Sequence, residues 1–450
     1  MKKNRPFNYF LLMGTFLLLN TSVTLSVASP VFPEPAVEKL PSGGKIFLFK
    51  DQRYPVFEIR VHLDGGHRLD NPGKTGTAKI LSQLIDQEAD CDDDAISLSS
   101  KGLSSNFRPV VTAIITKLFF PDLSNNQVNA HRNQLLESLG GLREAPESLA
   151  SIALHQNITS DPWLFRGSEL RTKETKKVVA ADVQKLFTES LVPERLTFSL
   201  IGSFSTADVD FLKNEIKTAT AKLGKPKKTR KIGKPGLIKS TASKQPILIP
   251  LKELNHAHLK MGLLFDPIPK DEITPILVGH AILGELPDAR LQKSLVIEGG
   301  ALSMTSALFI GPDVNSWIIS TDISPAKVFE TIQQVEKTVK SWLAQGPTNE
   351  EVESAKKYLL GAYPVGLANF PSYASRWLFW EQSGIGGNMT SLYWQKIPAT
   401  TSASIFSLYK KALKGKNFLS VIVGNPTAIK KAWPKNGKPF PKQVGPKALL

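Results

Sequence analysis

The stretch Gly73-Lys74-Thr75-Gly76-Thr77-Ala78-Lys79-Ile80-Leu81-Ser82-Gln83 decides how the rest of the chain is read. A glycine-rich turn opens a helix whose apolar face carries Ala78, Ile80, Leu81 and Leu84. Lys79 and Gln83, four residues apart, share one face, with Ser82 between them. At this spacing an inverted zinc motif, His-x-x-Glu-His, offers two imidazoles to one metal ion, while its glutamate acts as base on a metal-bound water. Here an ammonium, a hydroxyl and a carboxamide hold those places. None is a good zinc ligand, and Lys79 would put a cation beside the metal. The frame of a metal helix is present without its donors.

Working outward, residues 45–49 and 56–63 run apolar or alternate as strands do, and the polar turn 51–55 between them predicts an antiparallel pair. After the helix comes an acidic segment, Asp86, Glu88, Asp90, Asp92, Asp93 and Asp94. Such oxygens suit a hard cation, but a calcium loop counted from Asp86 would need glycine at its sixth place and glutamate at its twelfth, which is Ser97. The acids are better placed to begin a helix over 95–100. A short apolar region follows at 110–120, then helices at 125–139, 146–158 and 179–191, and a strand at 196–201 ending at Gly202.

Residues 224–246 shift to Lys, Gly, Pro, Ser and Thr without apolar period, which reads as a linker. Beyond it the order of elements repeats: strands at 246–251 and 258–264, a helix at 273–283, a strand at 316–323, and helices at 325–343 and 350–361. Thr348 with Glu351 three residues on is a capping box. A helix at 402–413 and a strand at 418–423 ending at Gly424 close this half as the first half closed at Gly202. The fold class is α+β, with two homologous α/β domains, 37–223 and 247–428, joined by a basic linker and followed by a basic, proline-rich tail, 429–450.

The chain has 450 residues, 41% hydrophobic, enough for more than one core. Lys2, Lys3 and Arg5, an apolar run at 9–19, and the small residues Ser26, Val27 and Ala28 have the layout of a secretory signal cleaved after Ala28, so a periplasmic or secreted location is expected. The run is short for a membrane anchor, no cysteine stands in it for lipid attachment, and no later stretch is long and apolar enough to span a bilayer. Cys91 is the sole cysteine and cannot form an internal disulfide. The net charge of +16 is clustered, with Lys222, Lys225, Lys227, Lys228, Arg230, Lys231 and Lys234 in one run and Lys430, Lys431, Lys435, Lys438, Lys442 and Lys447 in the tail. These could meet an acidic polymer or membrane surface, but the first run has no interleaved aromatic to stack bases. A solvated linker and tail, with no nucleic-acid partner, is the expectation.

The sequence resembles the pitrilysin/insulinase (inverzincin) peptidases over nearly all of the chain after the leader. The resemblance rests on Leu40-Pro41-x-Gly43-x-Lys45, Pro55-Val56 and Gly65-Gly66-His67-Arg68-Leu69-Asp70 ahead of the helix. In the second half it rests on Ala281-Ile282-Leu283-Gly284, Ala289-Arg290-Leu291 and Leu359-Leu360-Gly361-Ala362-Tyr363-Pro364. It implies two metallohydrolase-like domains enclosing a chamber, with zinc in the first half and a substrate-anchoring Arg/Tyr pair in the second. Position by position, the zinc motif falls on Lys79, Ser82 and Gln83, a remnant of the third ligand on Glu137, and the anchoring pair on Val296 and Ser303. Both devices are missing, so no catalytic or metal-binding residue and no cofactor is expected.

Relocated sites are weaker readings. His256 and His258 share a strand face, His62 and His67 lie near the first strands, and Ser82 stands one turn from Lys79 as in a Ser-Lys dyad. The aromatic stretch Trp377, Phe379 and Trp380 after Arg376 reads as packing between domains. The resemblance implies a non-catalytic partner subunit, heterodimeric with a zinc-containing homologue and sharing its peptide substrate. The alternatives are a zinc endopeptidase with displaced ligands and a stand-alone peptide-binding or envelope protein.

Overall fold

The computed structural model describes residues 33–40, 43–223, 228–236, 245–434 and 439–449. The expected leader, 1–28, and parts of the linker and tail lie outside them. The first half contains β1 (Ala36–Lys39), β2 (Lys45–Lys50), β3 (Val56–Asp64), α1 (Thr77–Ile85), β4 (Asp90–Cys91), β5 (Ala95–Leu103), α2 (Phe107–Phe119), α3 (Asn125–Gly141), α4 (Pro146–Ile158), α5 (Thr172–Thr175), α6 (Ala180–Ser190), β6 (Leu196–Gly202) and α7 (Thr206–Leu223). The second contains β7 (Ile247–Pro250), β8 (Ala257–Phe265), α8 (Ile273–His280), α9 (Arg290–Gln292), β9 (Ser303–Phe309), β10 (Asn315–Ile323), α10 (Val328–Gln345), α11 (Asn349–Gly366), α12 (Phe370–Gln382), α13 (Met389–Lys396), α14 (Ser402–Ala412), β11 (Leu419–Gly424), α15 (Pro426–Ala432), β12 (Lys442–Gln443) and α16 (Pro446–Leu449).

Two six-stranded sheets share one plan, β1-β2-β6-β3-β5-β4 and β12-β7-β11-β8-β10-β9. This is the α+β architecture of two similar halves that the repeat predicts. The register makes the correspondence residue-specific. Glu58 faces Ile201 across β3 and β6, and His258 faces Val423 across β8 and β11. Arg60 and Lys260, each two residues further along, are therefore equivalent positions.

Three sequence expectations are corrected. The opening strands do not pair with each other: β2 runs parallel to β6, and β6 pairs antiparallel with β3. In the second half β11 likewise lies between β7 and β8. β6 and β11, like β8, are buried along most of their length, and a strand apolar on both faces belongs in the sheet interior. Residues 95–100 form β5 rather than a helix. Ile96 and Leu98 are buried while Ser97 and Ser99 are not, a period of two. The acids before it build a turn, with Asp92 Oδ1 accepting from the amides of Asp94 and Ala95, both at 2.7 Å. The apolar region at 110–120 belongs to a full helix, α2. The sequence reading also passed over α7, whose buried Val209, Leu212, Ile216 and Ala219 recur at helical spacing.

The halves are fastened by exchanged helices. α4 lies against β8 and β11 of the second sheet, where Gly262 makes room: a Cβ there would stand 2.8 Å from Leu154. Lys260 Nζ donates to Ser151 Oγ of α4 at 2.6 Å. α12 lies against the first sheet in return, with Trp377 edge-on to Phe47 and Phe49 at 4.9 and 5.5 Å. At the position equivalent to Lys260, Arg60 donates to Ser375 Oγ of α12 at 2.8 Å. Of the aromatic stretch, Trp377 thus packs between the halves, Trp380 belongs to the core of the second half, and Phe379 is exposed.

Part of the basic run is not a solvated linker. Arg230 pairs with Glu189 at 3.1 Å and donates to Leu69 O and Asn71 Oδ1 at 3.0 and 2.7 Å. Its side chain is only 11% exposed, so this cation ties the connection to the loop that precedes α1.

Candidate functional site

α1 starts where it does because its first amides have a carboxylate. Asp70 accepts from the amides of Gly76 and Ala78 at 2.8 and 2.7 Å, and negative charge is stabilised at a helix N-terminus. Gly76 has φ of 91°, a left-handed conformation that glycine adopts without strain. His67 Nδ1 lies 3.4 Å from Asp70 Oδ2. Burial works to lower the His67 pKa, but neighbouring Cys91 and Asp70 hold it well above the ordinary value. Burial also pushes the Cys91 thiol up. His67 is therefore spent on holding the Asp70 cap.

Ala78, Ile80, Leu81 and Ile85 are buried on α1, and Ser82 is fully buried. Ser82 Oγ donates to the Lys79 carbonyl at 2.8 Å, so its hydroxyl is engaged by backbone and not by the Lys79 amine. No Ser-Lys dyad exists there. Gln83 faces a cavity of about 630 Å³ with Glu88, Ser99, Lys117, Gln127 and His131. Gln83 Oε1 and His131 Nδ1 are buried without a hydrogen-bond partner among the described residues. A second cavity of about 390 Å³, with Glu58, Arg60, His62 and Ser375 in its wall, also borders Glu88 and Ser99. Arg60 grips Glu58 through two hydrogen bonds of 2.6 and 3.2 Å.

Glu137, the expected remnant of a third ligand, is exposed on α3 and does not line the cavity. It stands six positions beyond His131, which rotates it to another side of the helix. His131 is the α3 residue the sequence reading missed. No motif frames it in the sequence.

The residues present do not fit zinc. Lys79 has no lone pair to give while charged, Ser82 is committed to a carbonyl, and Gln83 offers a neutral amide, leaving His131 as the one imidazole. Among the described residues, no three His, Cys, Asp or Glu side chains are grouped to hold a metal ion. His62 is occupied by Ser97 Oγ at 3.2 Å and Asp64 at 3.4 Å, and His256 is exposed while His258 is buried. The acidic segment is likewise dispersed: Asp86 pairs with Lys117 and Asp94 with Arg68, both at 2.7 Å.

In the second half, Val296 is half-buried against the core and Ser303 begins β9. Ser303 Oγ donates to Asp322 Oδ2 at 3.0 Å, and His258 Nδ1 faces Asp322 Oδ1 at 2.9 Å. Burial works to raise the Asp322 carboxyl, but hydrogen bonds from His258 and Ser303 hold it below its usual range. The carboxylate stands between serine and histidine, so the hydroxyl has no base, unlike a Ser-His-Asp triad.

Comparison with known proteins agrees with this geometry. Residues 177–359 match the family described as Peptidase M16 inactive domain. The non-peptidase homolog YmxG of Helicobacter pylori is 21% identical over 378 residues, covering 78% of this chain and 83% of its own. A crystal structure of a peptidase M16 inactive domain from Pseudomonas fluorescens superposes with a TM-score of 0.77 at 16% identity, over 87% of this chain and 98% of that one. The periplasmic protease PqqL from Escherichia coli gives a TM-score of 0.73 at 13% identity, over 94% of this chain and 49% of its own. The chain is thus similar to the pitrilysin (M16) family and, within it, to homologues that are not peptidases.

Proposed function

We propose that the protein is a periplasmic, non-catalytic partner subunit of a zinc-bearing pitrilysin-type homologue, and that it holds extended peptide for that enzyme. The observation that carries this reading is the open edge of β5 beside the two polar cavities. β4 pairs only with Ile96 and Ser97, so residues 99–103 have no strand on that side among the described residues. An extended peptide can add to such an edge through main-chain hydrogen bonds while cavities take its side chains. Gln83, Glu88 and His131 supply polar groups there without a nucleophile or a metal. In this reading zinc belongs to the partner alone. The basic start and apolar run of the leader, and the periplasmic location of PqqL, support the compartment. No helix among the described residues is long and apolar enough to cross a membrane.

The test is purification of the tagged protein from its native source, followed by identification of the chains that come with it. Recovery of a homologue with an intact His-x-x-Glu-His, whose peptide hydrolysis falls when Ser99→Pro removes an amide from the open β5 edge, is the expected result. A partner-free protein, or an enzyme indifferent to the substitution, refutes the reading.

A further inference from the structure

The second half carries in its own chain what the first half leaves open. Glu58 faces Lys101 and His258 faces Asp322, so β5 and β10 are equivalent strands. β9 runs antiparallel beside β10, with Ser303 facing Asp322, Thr305 facing Ser320 and Ala307 facing Ile318. In the first half β4 covers the same track only where Asp90 faces Ser97 and Cys91 faces Ile96. The counterpart of 303–305 is therefore an unfilled place beside Ser99, Ser100 and Lys101 among the described residues.

β9 shows how a strand sits on such a track: antiparallel to its neighbour, so that on β5 it would enter beside Leu103 and leave beside Ser99. Residues opposite each other in an antiparallel pair share a face of the sheet. A side chain of the added strand that faces Leu103, Lys101 or Ser99 thus stands in line with Val56, Glu58 or Arg60 of β3.

The two ends of the track differ in chemistry. Val56 and Leu103 face each other while 47% and 53% exposed, and Tyr54 nearby is 68% exposed. Tyr54 and Val56 border a cavity of about 670 Å³ with Phe57, Ile201, Phe370 and Pro371 in its wall. The charges around it are matched, since Arg53 pairs with Asp51 at 2.8 Å and Lys101 lies 3.8 Å from Glu58. This end favours a large apolar side chain, which would cover surface that now meets water.

At the other end, Ser99 borders the cavity of about 390 Å³ between the first sheet and α12. Arg60 is taken up by Glu58, and His62 stands against Asp64 at 3.4 Å. Asp90 lies on the same face as Ser97 and His62, and Glu88 borders the cavity beside it. Both carboxylates are exposed, and neither forms an ion pair with the described residues. Two spare negative charges at a polar cavity favour a cationic side chain. Ser99 and Leu103 are four residues apart, about 14 Å at about 3.4 Å per residue, so one extended peptide reaches both ends.

We propose that the β5 edge selects extended peptides that carry a large apolar residue and, four residues further toward the C-terminus, a lysine or arginine. The apolar residue faces Leu103 and enters the cavity at Tyr54, and the basic one faces Ser99 and meets Glu88 and Asp90. This inference rests on the reading of β5 as a peptide-binding edge and adds a direction and a side-chain pattern to it.

The test is fluorescence anisotropy of the purified full chain alone with the labelled heptapeptide Thr-Phe-Thr-Ser-Thr-Lys-Thr, with the same residues in reverse order, and with glutamate in place of the lysine. Saturable binding of one molecule of the first peptide per chain is expected. The reversed and glutamate peptides should bind about tenfold more weakly, the loss of one charge-assisted contact. Glu88→Lys combined with Asp90→Lys should invert the preference toward the glutamate peptide, and Tyr54→Ser should weaken the first peptide but not its alanine-for-phenylalanine counterpart. All three side chains are exposed, and thermal melts confirm that the variants fold. Equal affinity for the three peptides, or a preference that the paired lysine substitutions leave unchanged, overturns the proposal; if Ser99→Pro still abolishes that binding, the β5 edge stands without it. Binding that Ser99→Pro leaves intact, or no binding of any peptide, refutes the edge and the pattern together.

Discussion

Acidification should loosen the fastening between the halves, and His155 on α4 is the group that reads it. Its ring stacks on Phe165 with centroids 4.2 Å apart and planes 5° apart. Burial, with the Lys260 cation nearby, pulls its pKa from 6.5 down to about 4. The folded value lies below the unfolded one, so between these pH values the unfolded chain takes up a proton that the folded chain refuses. Stability from this residue is intact above pH 6.5 and falls as pH drops. The loss is about 2 kcal/mol by pH 5 and about 3 kcal/mol at pH 4 and below. The assay is urea unfolding of the wild type and His155→Phe, which keeps an aromatic ring against Phe165, at pH 7.5 and pH 5. The wild type should lose about 2 kcal/mol more than the variant between the two conditions. Equal losses would refute the reasoning, because they would mean that His155 takes up its proton without opening the α4 contact.

Other perturbations test the remaining elements. Trp377→Ala should cost about 3–5 kcal/mol by emptying the contact of α12 with Phe47 and Phe49, and limited proteolysis should show faster cutting around 366–385. Leu81→Asp would place a carboxylate at a site 1% exposed, and should leave the protein unfolded by circular dichroism or lost from the soluble fraction. Arg230→Ala removes the tie to Glu189, Leu69 and Asn71, and should hasten proteolytic nicking within 224–246 without a large change in melting temperature. The triple variant Lys79→His, Ser82→Glu, Gln83→His should not hydrolyse peptides, since Glu137 points away from the cavity; turnover would show that the missing machinery can be restored at α1 alone.

Much of the fold was legible because it is written in local periods. The repeat of elements, the long helices of each half and the Thr348–Glu351 capping box all depend on residues close in sequence. Strand order was not legible. The insertion of β6 between β2 and β3 reflects burial on both faces, which turn chemistry at 51–55 cannot encode. β5 was misread because Asp92 and its neighbours look the same at a turn as at a helix start; only the alternation of Ile96 and Leu98 with serines separates the two.

At the site, the helix frame and its altered residues were readable from spacing alone. The partners of those residues were not. His131 comes to Gln83 through the packing of α3, and Glu137, favoured for its carboxylate, faces solvent because helical rotation outranks residue type. The exchange of α4 and α12 between the sheets left a faint trace, a glycine at 262 inside a strand and an aromatic cluster at 377–380.

The central claim is that α1 keeps the frame of a zinc helix with no capacity to bind the ion or use it. Its most direct test is the zinc content of the purified protein after dialysis against zinc, measured with its hydrolysis of an unstructured peptide before and after chelation. The account predicts far less than one zinc per chain and no hydrolysis that a chelator removes. One tightly held zinc per chain with chelator-sensitive turnover would contradict it.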